Sequence, residues 1–518
     1  MSNNVETVLP ETDKLSGFLG AIEKVGNKLP HPFFLFFYLL IFTIILSAAL
    51  NYFGIHSMNP KTGEAVLVKS LASGEGVVHI FTSLVSNFVN FPVLGTIIVV
   101  MFGVGVADHV GLISIVMKQT VTKAPRHLLT FLVFVTGVSS SIASDASFLI
   151  FIPLVAMIFQ SVGRHPIAGA AAAYAAVGAG YDASFFVTAG DAIFSGIATE
   201  AARIIDPDAY VSPVDNYYFA ACSVILLAIV GTIIVDKIVE PRLNRILPLS
   251  VLTINPKAKA ALQTEISAEE KRGLKQAGLF TLAFIGLIAF ILLPTDSPFR
   301  NADGGLIPSP FMKSFVPFLF IYFLGVGYIY GKATGVIQKA EDIPEIMTEC
   351  IKSLSSILVL FFMISQFIAL FKWSGIGSLV AFEGATFLSS LGLTGYSLIV
   401  GFILLTAVMN IFMTSGSAQF ALFAPIFIPM LMQLNIEPAF TMAMFRVGDS
   451  TTNIISPLSP YFAVVLAFMQ QYYPKLKLGT LMATMLPLAL GFLVTWTLFM
   501  LLWTLLGFPV GPDIYMHM

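Results

Sequence analysis

The chain has 518 residues, 57% of them hydrophobic and only 11% charged, with 47 Phe and a mean hydropathy of +0.88. That much apolar side chain exceeds what one soluble core can bury, so the sequence reads as a polytopic membrane protein. A formal net charge of -2 argues against a nucleic-acid partner, and the two cysteines, Cys222 and Cys350, fall in or beside apolar stretches and offer neither a disulfide framework nor a Cys metal site.

In chain order, residues 1–30 are polar and lack a signal-peptide pattern, although Phe18, Leu19, Ile22 and Val25 recur at a helical spacing suited to a membrane surface. Long apolar stretches predict spanning helices near 33–53, 92–118, 166–200, 217–236, 276–294, 311–331, 351–371, 438–470 and 481–507. The stretch 54–91, with "HIFTSLVSNFVNFP", reads as an outer connector in preference to an amphipathic lid. Two regions, 127–160 and 395–433, are too long for one helix and carry polar centres, "VSSSIASDAS" and "MTSGSAQ". Each predicts a re-entrant helical hairpin, because unwound backbone at membrane depth survives only where protein or a water-filled cavity covers it. The predicted fold is all-α, with about nine transmembrane helices and two hairpins. Residues 1–30 form a cytoplasmic or interfacial segment, 31–236 and 276–518 two membrane halves, and the mixed-charge stretch 237–275 a cytoplasmic connector with a short helix.

Charge sets the orientation. With the N-terminus inside, the basic positions Lys118, Lys123, Arg126, Arg164, Lys237 through Lys275, Lys332, Lys339, Lys475 and Lys477 all face the cytoplasm. The first hairpin then opens to the cytoplasm and the second to the outside. The halves also rhyme: Ser144, Pro153 and Pro166 are spaced like Gly416, Pro425 and Pro438. After a two-residue slip "VGAGYDASFF" (177–186) falls on "VGDSTTNIIS" (447–456), with Asp182 opposite Thr452 and Ala183 opposite Asn453. Gly, Ala and Pro are common in membrane helices, so chance competes with this reading. An inverted repeat would place substrate and ion sites near the midplane, where hairpin tips and broken helices converge.

Arg446, in "FRVGDSTTNIISPLSP" (445–460), is the only Arg or Lys between Lys372 and Lys475. A guanidinium at membrane depth needs an anionic partner. Asp449, one helical turn on, a substrate carboxylate, or each in turn meets that need, and a purely structural Arg–Asp pair is the competing reading. Asp182 and Asp191, in "GAGYDASFFVTAGD", bind a cation or carry a proton; Asp191 alternatively caps a resumed helix near the outer surface. Ser139, Ser140, Ser141 and Ser144 in one tip, and Ser415 and Ser417 in the other, are hard oxygen ligands suited to alkali cations. Asp108 and Asp145 are weaker candidates.

"GNKLPHPFFLF", "GRHPIAG", "IVEPRL", "GSAQFALFAPIFIPMLM", "FRVGDSTTNIISP" and "LGFPVGP", in that order, resemble the p-aminobenzoyl-glutamate transporter (AbgT) family over nearly the whole chain. The resemblance implies a homodimeric carrier of the bacterial inner membrane with nine spanning helices and two oppositely facing hairpins. It implies p-aminobenzoyl-glutamate or sulfonamide antimetabolites as substrates, and a sodium or proton gradient as the driver. It places the functional residues on Asp191, Ser417, Pro438, Arg446, Asp449 and Pro457. Two departures stand out: Phe420 replaces a frequent Trp, keeping a ring that stacks on an aromatic substrate but losing the indole donor, and Ser184 replaces an amide with Asp182 nearby. The expected substrate site is thus Arg446, Asp449, Ser417, Phe420, Pro438, Pro457 and Asp191; the expected cation or proton site is Asp182, Ser184, Asn453, Ser144 and Asp145.

The sequence therefore reads as a secondary active transporter of anionic aromatic carboxylates, coupled to sodium or protons, working by alternating access in the bilayer and needing no other cofactor. No G-x-x-x-x-G-K-[ST] motif indicates ATP as driver. A sodium-coupled dicarboxylate symporter is the alternative. A membrane hydrolase lacks support, since the seven His lie mostly at span ends and loops with no H-E-x-x-H; an ion channel would differ by flux that does not saturate.

Overall fold

The computed structural model describes residues 30–58, 65–143, 146–254, 266–305 and 309–518. Among them the chain is helical almost throughout, the exception being an antiparallel ribbon of His56–Met58 with Ala65–Leu67, in which His56 pairs with Leu67. Eight of the described helices are long and apolar enough to cross a membrane, and two bent pairs raise the number to ten.

The first span, α1 (Pro32–Tyr52), starts at a proline whose missing N–H is no loss at a helix N-terminus. The expected connector 54–91 is corrected next: Ser73 accepts a hydrogen bond from the Gly76 N–H and starts α2 (Gly74–Val89). That helix is docked, because Asn87 Nδ2 donates to Gln366 Oε1 at 3.0 Å. Then α3 (Pro92–His109) ends before the predicted 118; Gly111, at φ 82°, turns the chain into a separate helix α4 (Leu112–Thr122). Only glycine takes that left-handed conformation without strain.

The first hairpin is α5 (Leu129–Ser139), a single 3-10 turn Ser140–Ala143, and α6 (Ala146–Ser161). Its tip residues Ser144 and Asp145 lie outside the described residues. The predicted span 166–200 is two helices, α7 (Pro166–Ala179) and α8 (Ala189–Ala202), with irregular backbone between them. Next, α9 (Tyr217–Ile234) runs through a π-turn, Val235–Val239, into α10 (Glu240–Ile246). That turn sets Asp236 and Glu240 around Arg164 at the base of the hairpin: Arg164 Nη2 bonds Asp236 Oδ1 at 2.6 Å and Nε bonds Glu240 Oε2 at 3.0 Å.

In the second half, α11 (Ala268–Leu292) begins earlier than expected, within the predicted connector, at a Ser267–Glu270 capping box. After α12 (Phe315–Thr334) and α13 (Asp342–Trp373) comes α14 (Ile376–Ser390), which the predicted spans omitted. Its bend from α15 (Gly395–Asn410) is 116°. The second hairpin is α15 with α16 (Gly416–Gln433). The span 438–470 breaks into α17 (Pro438–Thr452) and α18 (Pro460–Gln470), and α19 (Leu478–Leu505) closes the membrane part.

The two halves thus share an order: long helix, left-handed glycine, short helix, hairpin, broken helix. Gly375, at φ 77°, does after α13 what Gly111 does after α3, and Pro166 and Pro438 open the two broken helices. Every residue of α7 and of α17 is buried. Small side chains in "AGAAAAYAAVGA" let neighbouring helices approach α7 closely. These two half-helices are the centre of the molecule, and they carry the polar residues to it.

Candidate functional site

Arg446 lies in the last two turns of α17, and its side chain is 4% exposed. Of the partners considered, Asp449 is not the one the structure gives: Arg446 Nη1 bonds Asp191 Oδ1 at 2.7 Å. Asp191 also closes a capping box at the start of α8, its Oδ2 accepting from the Thr188 N–H at 2.6 Å and from Thr188 Oγ1 at 2.8 Å. It is therefore a cap, as one sequence reading had it, and it is buried. One carboxylate fixes a broken helix with one oxygen and holds the guanidinium with the other. Arg446 also stands over the Phe194 ring, its Cζ 5.1 Å from the centroid. Arg446 Nε and Nη2 have no hydrogen-bond partner among the described residues. A buried guanidinium with two unfilled donors is a receptor for an anion.

Asp449 turns to a different neighbour. Its Oδ2 accepts a hydrogen bond from the Tyr181 hydroxyl, and its Oδ1 has no partner among the described residues. The contact depends on Gly416, the first residue of α16: a Cβ there would overlap Tyr181 Oη and lie 2.6 Å from Asp449 Oδ2. Asn410, the last residue of α15, donates to the Asp449 carbonyl, to Thr452 Oγ1 at 3.0 Å and to Asn453 Oδ1 at 3.0 Å. Asn453 Nδ2 reaches across to the Gly178 carbonyl at 3.3 Å, and Ser450 Oγ donates to Asp182 Oδ2 at 3.0 Å. The breaks of the two broken helices therefore touch, through side chains that replace the backbone bonds lost there.

Two spaces meet at this junction. A cavity of about 600 Å3 is lined by Ser141 of the first tip, Thr414 and Ser417 of the second, and Tyr181, Asp182 and Asn453. A second pocket, about 10 Å3 and room for roughly one water, is lined by Arg446, Asp191, Ser184 and Tyr217. Tyr181, Asp182 and Thr188 line both and form the partition between them.

Of the predicted residues, the structure gathers Arg446, Asp449, Asp191, Asp182, Ser184, Asn453 and Ser417 at or beside this partition. Ser184 Oγ already accepts from the Phe186 N–H at 3.0 Å. Phe420 is corrected: at 1% exposure its ring packs on Phe445 and Phe194, with centroids 4.7 and 5.2 Å away, and of these three rings Phe194 is the one that reaches the cavity. Pro438 stands at the far end of α17 as its first residue, and Pro457 in the break before α18; neither lines either space. Tyr181, Thr188 and Asn410 were missed as site residues, although Tyr181 sits inside the quoted "GAGYDASFF" and Asn410 is a polar residue closing an apolar run just before a tip.

Crossed helix breaks, two hairpin tips and a buried ion pair between two spaces define a multi-pass membrane transporter built on an internal repeat. The chain belongs to the AbgT putative transporter family, whose sequence profile matches residues 17–518. It is 39% identical over 508 residues to the p-aminobenzoyl-glutamate transport protein of Escherichia coli K12, covering 98% of each chain. Its structure resembles that of the Alcanivorax borkumensis YdaH transporter, known for an unusual topology, with a TM-score of 0.88 and 37% identity over 93% of this chain and 100% of the other. Neisseria gonorrhoeae MtrF, described as illuminating a class of antimetabolite efflux pumps, matches with a TM-score of 0.89 and 38% identity over 96% of this chain and 100% of its own.

Proposed function

We propose that this chain is a secondary active transporter of anionic aromatic carboxylates, p-aminobenzoyl-glutamate and related antimetabolites among them, driven by a sodium or proton gradient across the bacterial inner membrane. The observation that carries the reading is Arg446, a buried fork with Nε and Nη2 unfilled beside a water-sized pocket. In this reading a substrate carboxylate takes those two donors bidentately while Asp191 keeps Nη1. Asp191 prevents the guanidinium from standing as an uncompensated charge when the substrate leaves.

The coupling ion belongs on the other side of the partition. Asp182, with Asn453 and the unpartnered Oδ1 atoms of Asp449 and Asn410, gathers carboxylate and amide oxygens where helices are broken. Tyr181, tied to Asp449, separates the two binding events. Cation binding at Asp449 competes with that hydrogen bond, so loading the ion loosens the partition. The two tips, through Ser141 and Ser417, open and close the cavity around it. The relatives named for p-aminobenzoyl-glutamate transport and antimetabolite efflux support this substrate class. Uptake of labelled p-aminobenzoyl-glutamate into proteoliposomes under imposed sodium or pH gradients is the test. Flux that saturates and reverses with one gradient supports the reading and names the ion; no gradient-dependent flux of any carboxylate rejects it.

A further inference from the structure

The carboxylate site leaves unassigned the part of the molecule that would recognise an aromatic ring, because Phe420 is sealed in the core. Of the other rings at the cavity, Phe194 is 2% exposed and wedged between Phe420, Phe445 and Arg446. Tyr174 is 1% exposed, and the Tyr181 hydroxyl is engaged with Asp449. Phe148 and Tyr461 differ in facing each other. Both line the cavity, both are half-exposed, and their rings lie face to face, with centroids 3.8 Å apart and planes inclined by 3°.

Their places in the chain matter as much as their contact. Phe148 is in the first turn of α6, just past the first hairpin tip, and Tyr461 is the second residue of α18, just past the break in the second broken helix. The first turn of a helix is not held by hydrogen bonds from its own N–H groups to a preceding turn. Two rings so placed can part by a local rotation at each helix start, without shifting a whole packed helix.

We propose that Phe148 and Tyr461 are the aryl subsite of the transporter: the substrate's aromatic ring inserts between them, replacing their mutual stack with one on each of its own faces. The proposal rests on the aromatic-carboxylate reading above and deepens it by naming the element that reads the ring: Arg446 lines the small pocket and the two rings the large cavity, so the bound substrate reaches across the loosened partition of Tyr181, Asp182 and Thr188. With the site empty, each ring covers the face of the other and keeps it from water. Occupied, the pair stands at about twice its present spacing, and two ring–ring contacts replace one. Phe148 rides on the first hairpin and Tyr461 on the second broken helix, so filling the subsite also spreads those two elements. Stacking reads planarity and π-surface more than the placing of ring substituents, which suits a family whose relatives include an antimetabolite efflux pump.

The test compares two ligands that share a glutamate diacid and differ in the ring: p-aminobenzoyl-glutamate and N-acetyl-glutamate. Equilibrium binding of each to the full-length protein in nanodiscs is measured for wild type, Phe148→Leu, Tyr461→Leu and Tyr461→Phe, all checked for monodispersity. The expected result is that wild type prefers the aryl ligand and that each Leu variant weakens its binding by about fivefold. N-acetyl-glutamate binding stays within about twofold of wild type in every variant, and Tyr461→Phe, which keeps the ring, keeps the preference for the aryl ligand. Equal losses for both ligands, an unchanged preference in both Leu variants, or no preference in wild type overturns the proposal. Flux assays on the same preparations separate it from the broader reading: ring-dependent binding without flux counts against transport and leaves the subsite standing.

Discussion

Replacing Asp191 by Asn removes one negative charge and little volume, and it isolates the ion pair at the centre of the site. Asn can still accept from the Thr188 N–H through its own Oδ1, so the cap on α8 survives. Its amide then presents a donor to Arg446 Nη1 where the structure has an acceptor at 2.7 Å. The guanidinium is 4% exposed, and its carboxylate partner 10% exposed. Losing one partner of a buried pair costs about 3–5 kcal/mol, because the remaining charge stays desolvated and unpaired. Arg446→Met leaves the mirror problem, an unpaired Asp191. In the double variant Asp191→Asn/Arg446→Met neither member of the pair is left to stand alone, and the cost falls below that of either single change, a coupling of roughly 2 kcal/mol or more. Thermal unfolding of the purified proteins in nanodiscs should therefore order wild type highest, the double variant next and the single variants lowest. Additive losses, with the double variant least stable, would refute the pairing as the reason this arginine is tolerated in the membrane.

Three further outcomes follow from particular contacts. Gly416→Ala sets a Cβ against Tyr181 Oη and Asp449 Oδ2, so it should break their hydrogen bond and reduce stability by about 1–3 kcal/mol with loss of uptake, while Gly401→Ala, at a position with open space around it, leaves both near wild type. Phe420→Trp enlarges a side chain whose ring centroid is 4.7 Å from that of Phe445 and should lower stability by about 1–3 kcal/mol unless Phe194 and Phe445 repack; a melting curve decides. Asp215, in the connector ahead of α9, is buried, and burial raises its carboxyl to about 7 against the opposing hydrogen bond from the Ser212 N–H. Folding thus favours the protonated form, and its contribution to stability is full below about 4 and lost as pH rises to about 7. The melting temperature of wild type relative to Asp215→Asn should fall over that interval and stay level above it.

Much of the architecture was legible because a membrane allows few solutions. Polar centres inside long apolar runs could only be covered unwound backbone, and both hairpins stand where those centres predicted. Arg446 was legible as buried because nothing else explains a lone cation in that stretch. Its partner was not, since Asp449 shared the local spacing and a long-range pair leaves no mark in sequence. The structure settled it by rotation: Asp449 points at Tyr181 and the second tip, Arg446 at the start of α8. Phe420 was misplaced because apolar periodicity is the same for a ring facing a cavity and a ring facing its neighbours. The helix after Gly111 was merged with the one before it, and the helix after Gly375 was passed over in a stretch that carries Lys372 and Glu383; the glycines, in "HVGLIS" and "WSGIGS", signalled the turns.

The central claim is that Arg446 receives the carboxylate of a transported anion. The measurement that bears on it most directly is concentration-dependent uptake of p-aminobenzoyl-glutamate by proteoliposomes carrying wild type or Arg446→Lys. Lysine keeps the charge beside Asp191 but loses the planar fork, so the account predicts a KM raised by about tenfold or more in a protein that still folds and melts near wild type. A lysine variant that transports with wild-type KM would show the guanidinium to be a structural counter-ion and would contradict the account.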